Sequence, residues 1–479
     1  MATRPPPFRP RLRAALAAAL ALVLAAGCTV GPNYVPPEAD TPNLWHMDLM
    51  RGLAQGEANL QTWWTALEDP LLTSLIDRAA LGSLDVHQAV ARIDEARARR
   101  GIARGSWYPG ILGTGDYTRQ RLSEETVPIP PTSRTGSIWS TGVDASWEID
   151  VFGRIRRSVE STTADLQASI EDYRDVLVSL FAEVGLTYVD LRTLQERIRL
   201  AELNVRNQRS TLQLVRDRNR AGLVGDLDVR QAEQNLASTE SFIPTFRSQQ
   251  AASIHRLSVL LGDPPSSLYA ELGPPQPIPK PASEILVGVP ADVLRQRPDV
   301  RQAERLLAAQ TAQIGVAKAD LYPRFTLVGT FALQASDFSK WFTGDAFSYG
   351  FGPAVRWNIF DGGRVRANVQ TQEALTEQAL VDYEQTVLGA LEDVENSAVA
   401  FVQENDRRDA LARSVVASVA ATGLVKTLYR TGLTDFQNVL DTERTQFQQQ
   451  DQLAASDGFV TQNLIRVYRA LGGGWSPQP

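Results

Sequence analysis

The chain has 479 residues, a net charge of −7, 22% charged and 8% aromatic residues, so it lacks the general basic surface that nucleic acid requires. Its one cysteine, Cys28, excludes an intrachain disulfide and a thiolate metal cluster. Of its three histidines, His46, His87 and His255, no two fall within a helical turn or a hairpin of each other, which leaves no pair at ligand or acid–base spacing.

In chain order, Arg4, Arg9, Arg11 and Arg13 precede an apolar run from Ala14 to Ala26 that ends at Gly27-Cys28. The run is too short to span a bilayer and reads as a signal peptide over residues 1–27. A cysteine directly after a small residue at this place resembles a lipoprotein signal, in which Cys28 becomes the acylated N-terminus; Ala25 stands where Leu is commonest. Removing residues 1–27 takes away four arginines and no acid, which carries the net charge from −7 to about −11. Thr29, in place of Asp, resembles the pattern that permits export to the outer membrane.

An internal repeat organises the rest. Gly101–Pro109 matches Gly315–Pro323 at an offset of 214. The offset then becomes 210 and holds: Trp147 with Trp357, Gly153-Arg154 with Gly363-Arg364, Asp172-Tyr173 with Asp382-Tyr383, Gly222 with Gly432, and Leu261-Gly262 with Leu471-Gly472. Repeat 1 covers residues 71–262 and repeat 2 residues 298–471. Each opens with a helix, at about 71–107 and 298–321, halted where a residue is pushed out of helical geometry before Pro109 or Pro323.

Strand hairpins follow, at 111–149 and 325–359. From Trp139 to Ile149 the odd positions are Trp, Thr, Val, Ala, Trp and Ile and the even ones Ser, Gly, Asp, Ser and Glu; Phe325–Leu333 and Phe351–Ile359 also carry their aromatics at odd positions. Such alternation fits a strand with one lipid face and one wet face, and also fits a soluble half-buried sheet. Two proline-free segments, 154–221 and 364–431, then predict helices on the order of 100 Å long. Their apolar positions, Leu177, Phe181, Val184, Tyr188 and Leu191 in one and Val387, Leu391, Val394, Ala398 and Phe401 in the other, keep a seam toward a neighbouring helix. Gly222 and Gly432 end these helices as left-handed caps, and return helices run over 226–262 and 435–471. Pro244 predicts a kink in the first return helix.

Four strands per chain leave two open edges, and unpaired backbone groups in hydrocarbon cost several kcal/mol each. Even-numbered barrels start at about eight strands. At least two chains must therefore share one barrel, as a dimer or a trimer.

Along essentially its whole mature length the sequence resembles the TolC-like outer membrane factor family, in its NodT-type efflux lipoprotein branch. The resemblance rests on Cys28-Thr-Val-Gly-Pro-Asn-Tyr34, Trp63-Trp64 with Asp69-Pro70-Leu71, Pro290-Ala-Asp-Val-Leu-Arg-Gln-Arg-Pro-Asp-Val300, the paired Tyr-Pro and Gly-Arg junctions, and two Arg-x-Gly-Leu turns. It implies an α+β membrane channel: a homotrimer sharing a twelve-stranded transmembrane β-barrel in the outer membrane and a long α-helical coiled-coil periplasmic tunnel. Residues 28–70, a proline-rich linker at 263–297 and the tail 472–479 would form a belt around that tunnel. The implied partners are a periplasmic adaptor, docked on the tip turns Gly222-Leu223 and Gly432-Leu433, an inner-membrane RND-type transporter, and outer membrane lipid. No cofactor is implied beyond the lipid on Cys28.

The resemblance also implies a periplasmic gate at the helical tip. Counted from the turn glycines, Tyr429, Asp441 and Arg444 fit its pattern, as does Asp228; Asn438 departs from an acidic position. Without the resemblance, Asp441 and Arg444 read as an ordinary i,i+3 pair on an exposed helix face. The function implied is a passive exit duct for drugs or toxic small molecules, and the same duct could serve protein secretion or metal extrusion. A pore-free coiled-coil scaffold is the rival reading. An enzyme is the weakest, because Gly472-Gly473-Gly474 precedes no strand and no Lys-Ser/Thr.

Overall fold

The computed structural model describes residues 29–37, 53–55, 60–123, 125, 135–280, 285–287 and 296–475. The signal segment, Cys28 and His46 lie outside the described residues. The elements in chain order begin with β1 (Leu53–Gln55), α1 (Pro70–Gly82), α2 (Leu84–Gly105), β2 (Gly110–Arg121), β3 (Thr135–Ile149), α3 (Arg154–Arg220), α4 (Asp226–Leu260) and α5 (Tyr269–Leu272). They continue with β4 (Ile285–Val287), α6 (Pro298–Ala319), β5 (Arg324–Ala335), β6 (Phe347–Arg356), α7 (Arg364–Thr431) and α8 (Phe436–Ala470). Two compact units result, one holding Ile93–Ala168 and Ala303–Tyr383, the other Ser169–Gln302 and Glu384–Pro479.

In the first unit, β2-β3-β5-β6 form one antiparallel sheet in that order. Every pairing joins odd to odd and even to even residues, from Tyr117↔Trp139 through Trp147↔Leu327 to Phe331↔Tyr349. One face therefore carries Ile111, Tyr117, Trp139, Val143, Phe331, Tyr349 and Phe351, and the other carries Asp116, Thr118, Ser140, Asp144, Thr330 and Ser348. On the polar face Thr330 Oγ1 donates to Asp144 across β3 and β5 at 2.8 Å. The two repeats meet the sheet alike: Trp147 Nε1 donates to Trp107 O at 2.9 Å, and Trp357 Nε1 donates to Leu321 O at 3.0 Å. β6 ends at Arg356, short of the expected Ile359. Trp357, turned to Leu321, no longer belongs to the ladder.

The segment after Cys28 is held in this unit by Arg157, which is 3% exposed. Its guanidinium donates to Val30 O, Gly31 O and Asn33 Oδ1 at 3.2, 3.3 and 2.8 Å. Gly31 has φ +92°, and a Cβ there would lie 2.5 Å from Gly315 Cα, so only glycine fits. Tyr34 completes the attachment through Glu304, at 3.1 Å.

In the second unit Asp69 caps α1, its carboxylate accepting from Leu71 N and Leu72 N at 3.0 Å and from Tyr188 Oη at 2.7 Å. Trp63 and Trp64 are buried, Trp63 stacked on Tyr468 and Trp64 edge-on to Phe181. The helix expected over 71–107 is two helices, divided at Ser83. Gly82 and Gly262 approach so closely that a Cβ on either would lie 2.3 or 2.2 Å from backbone oxygen of Leu261 or Gly82, and the chain turns there. Helix α4 is continuous through Pro244.

The long helices run 67 and 68 residues without interruption. In α3, positions seven apart carry polar contacts to repeat 2: Arg197 forks onto Asp451 at 2.7 and 2.9 Å, Asn204 reaches Gln450 at 2.8 Å, and Thr211 reaches Glu443 at 2.6 Å. This spacing is the heptad of the sequence, used here for pairing and not only for apolar packing.

Candidate functional site at the helical turns

Both long helices end in the same motif. Gly222 and Gly432 have φ +71° and +79°, the left-handed region that glycine enters without a Cβ penalty. Gly222 N donates to Asn219 O and Leu223 N to Arg218 O, at 2.8 and 2.9 Å; Gly432 N donates to Tyr429 O and Leu433 N to Leu428 O, at 3.1 and 2.9 Å. These are paired Schellman caps, which satisfy carbonyls that the helix end leaves open. Each presents a leucine to solvent, Leu223 at 65% and Leu433 at 74% exposure.

Beneath the turns Leu212, Val215, Ala232, Tyr429, Phe436, Val439 and Leu440 form a small core. Tyr429 is buried, its ring 5.5 Å from Phe436 and its face covered by the Arg218 guanidinium at 4.6 Å. Arg218 also donates to Tyr429 O. The Tyr429 hydroxyl has no hydrogen-bond partner among the described residues. Burial, with the nearby Asp228 carboxylate, raises its pKa against the opposing Arg218. Asp228 is itself raised, by burial first and then Asp435, with Arg218 pulling down.

Asp441 and Arg444 do not pair with each other. Asp441 accepts from Gln437 Nε2 at 3.1 Å, and Arg444 Nε donates to Asn235 Oδ1 at 3.2 Å. The i,i+3 ion pair expected on an exposed face is absent because each side chain is drawn to a different helix position.

The residue that joins this region together is Glu443, which the sequence reading did not single out. It is 5% exposed and contacts Lys426 Nζ at 2.7 Å, Thr211 Oγ1 at 2.6 Å and Asn235 Nδ2 at 3.3 Å. One carboxylate thus ties α3, α4, α7 and α8, and Asn235 passes the link on to Arg444. A polar residue facing the seam, with Thr211 on the seven-residue series of α3, was the available signal.

A sheet with one apolar face, long paired helices and two glycine-capped turns defines a subunit of an outer membrane channel. The chain belongs to the outer membrane efflux protein family, which it matches over residues 75–263 and 289–473, one match per repeat. It is 34% identical to nodulation protein T of Rhizobium leguminosarum bv. trifolii over 464 residues, 95% of this chain and 96% of that one. It is also 34% identical to the pyoverdine export outer membrane protein OpmQ of Pseudomonas putida over 425 residues, 87% and 88% of the two chains. The solved outer-membrane channel OprN superposes with a TM-score of 0.87 at 34% identity, covering 94% of this chain and 100% of that one. The protein is an outer membrane efflux channel with a large periplasmic part, and its fold is the α+β channel fold in which trimers share barrel and tunnel.

Proposed function

We propose that this chain forms the exit duct of a tripartite pump for drugs or toxic small molecules, fed by a periplasmic adaptor and an inner-membrane RND-type transporter. The observation that carries the duct is the sheet: one face apolar up to Arg119 and Arg121 at the far end of β2, one polar face, and edges at β2 and β6 that have no strand partner among the described residues. Three such four-stranded sheets, joined β2 to β6, close into twelve strands with the polar face lining the lumen.

Helix α7 supports the same assembly. It contains an 18-residue window of mean hydropathy 1.3 that is only 6% buried in the single chain. Val416, Val419, Leu424 and Leu428 are exposed along it, interleaved with Ala417, Ala420, Ala421 and Gly423, which let another helix approach closely. A second copy of the chain is the cover these residues suit.

Tyr429, Asp441, Arg444 and Asp228 form the periplasmic gate, repeated threefold around the pore. Asp441 and Arg444, exposed and not paired with each other, are the groups left for contacts with a neighbouring chain, while Tyr429, buried beneath the turns, acts by setting the position of Arg218 and Phe436. Leu223 and Leu433 supply apolar knobs for the adaptor. Cys28 carries the lipid anchor. Thr29, the next residue, packs where a Cβ on Gly153 would lie 2.7 Å from it, and the adjoining Phe152 stacks on Tyr322, an aromatic setting suited to a membrane surface.

Planar-bilayer recording of the purified full-length protein tests the duct. Discrete single-channel currents are expected; a protein that inserts and conducts nothing would restore the scaffold reading.

A further inference from the structure

The apolar face of the sheet ends in cations on one strand. Past Tyr117, positions 119 and 121 of β2 keep the same face by register, Arg119 opposite Ser137 and Arg121 opposite Thr135. Both are exposed, and neither makes an ion pair or side-chain hydrogen bond among the described residues. The face they continue is the one assigned to lipid, so two guanidiniums stand where the strand pattern calls for apolar or aromatic side chains.

Their level on the sheet explains them. Trp139, opposite Tyr117, touches Phe338 and Trp341 of the β5–β6 connection at 5.0 and 5.4 Å between ring centroids. Tyr117 lies 4.3 Å from Trp139, and Trp341 lies 4.8 Å from Phe342. This cluster marks one aromatic girdle. Trp147 marks the other, where the strands meet the helices. The eight residue-to-residue steps from Trp139 to Trp147 span about 26 Å along the strand, close to the roughly 25 Å apolar band of an outer-membrane barrel. Arg119 and Arg121 therefore lie just beyond the girdle remote from the helices, at outer-leaflet headgroup height. Lys340, exposed between Phe338 and Trp341, adds a third cation at the same girdle.

We infer that Arg119 and Arg121, with Lys340, form a binding surface for phosphorylated headgroups of outer-leaflet glycolipid. The inference rests on the odd-numbered face being the lipid face. Guanidinium presents a planar donor fork that matches phosphate oxygens in pairs, and a cation on the lipid face costs little at interface depth while costing much at the midplane. The polar face of β2, with Asp116, Thr118 and Gln120, offers no such group, and at the helix-side end of the sheet Arg324 and Arg356 stand at even positions, on the opposite face. Closure to a trimer would repeat the surface three times around the rim.

Native mass spectrometry of the full-length protein, released from vesicles of phosphatidylcholine containing bisphosphorylated lipid A, tests it. Wild type should retain lipid A, and should retain dephosphorylated lipid A on the order of tenfold less. Arg119→Gln with Arg121→Gln should reduce retention of the phosphorylated form by a similar factor, and Arg119→Lys with Arg121→Lys by less. Equal retention of the two lipids by wild type would overturn the inference while leaving the lipid face intact. Retention of neither, or complete displacement by excess inorganic phosphate, would also overturn it. The wild-type comparison needs no variant to fold.

Discussion

Asp441, in the second turn of α8 and so near the tip, accepts from the Gln437 amide and meets no cation among the described residues. In the proposed gate such groups would meet their own copies or a neighbour's cations around a threefold axis, and narrowing plus charge would close the pore. Replacing Asp441 and Arg444 together by Ala should therefore raise single-channel conductance, by about twofold or more. Unchanged conductance with unchanged antibiotic leak in cells would remove these residues from the gate. The types and spacing of Tyr429, Asp228, Asp441 and Arg444 were readable in the sequence, because a turn glycine numbers its neighbours. Glu443 was not, since its partner Thr211 is 232 positions away and a carboxylate on a helix ordinarily reads as solvated.

Asp175 is a second residue with a consequence. It lines a cavity of about 540 Å³ with Arg297, Asp299, Asp393 and Arg469. Burial, then Asp299, push its carboxyl up to about 6, against Arg297 and Arg469. A carboxyl that holds its proton more tightly folded than unfolded makes ionisation costly to the fold: the cost is absent below the ordinary aspartate value of 3.8 and complete above about 6. Asp175→Asn should raise the thermal midpoint at about pH 7 by about 2 °C or more and change it little near pH 4. An equal shift at both pH values would show that packing, not ionisation, is responsible.

At the scale of elements, the Schellman caps fix where α3 and α7 stop and what they present. A Cβ at Gly432 would be forced into left-handed geometry at a cost of about 1–2 kcal/mol, yet nothing near either glycine crowds it. Gly432→Ala should therefore leave trimers intact on native gels while lowering drug export in cells, because Leu433 is displaced. Trimers lost along with export would mean that the turn serves assembly. These helices were legible from proline-free length and heptad spacing, and the strands from odd-position aromatics. The division of α1 from α2 was not, because it depends on the backbone of Gly82 meeting that of Gly262 across the fold. The end of β6 was likewise hidden, since a tryptophan at an odd position reads as strand until its Nε1 is seen on Leu321 O.

At the scale of the molecule, the repeat makes one chain supply two equivalent hairpins and two equivalent turns, and the departures fall where the halves have different neighbours. Much of α3 packs inside its chain, with Leu191 and Val184 fully buried, whereas α7 leaves Leu388, Val416 and Leu424 open. The need for oligomerisation is legible in the strand count alone; the exposed α7 face proposed to meet another copy appears only once each helix face has been placed. The Thr29–Tyr34 motif is explained at this scale too. Arg157 reads its backbone and Gly31 lies against Gly315, so the segment that follows Cys28 in sequence is fastened beside the strands.

Closure of the sheet by three chains is what the lumen, the gate and the lipid-facing rim all depend on. The mass of the intact assembly, measured by native mass spectrometry on protein extracted from outer membranes in mild detergent, tests it most directly. Particles of three chains are expected; particles of one or two chains would leave β2 and β6 without the partners on which the channel rests.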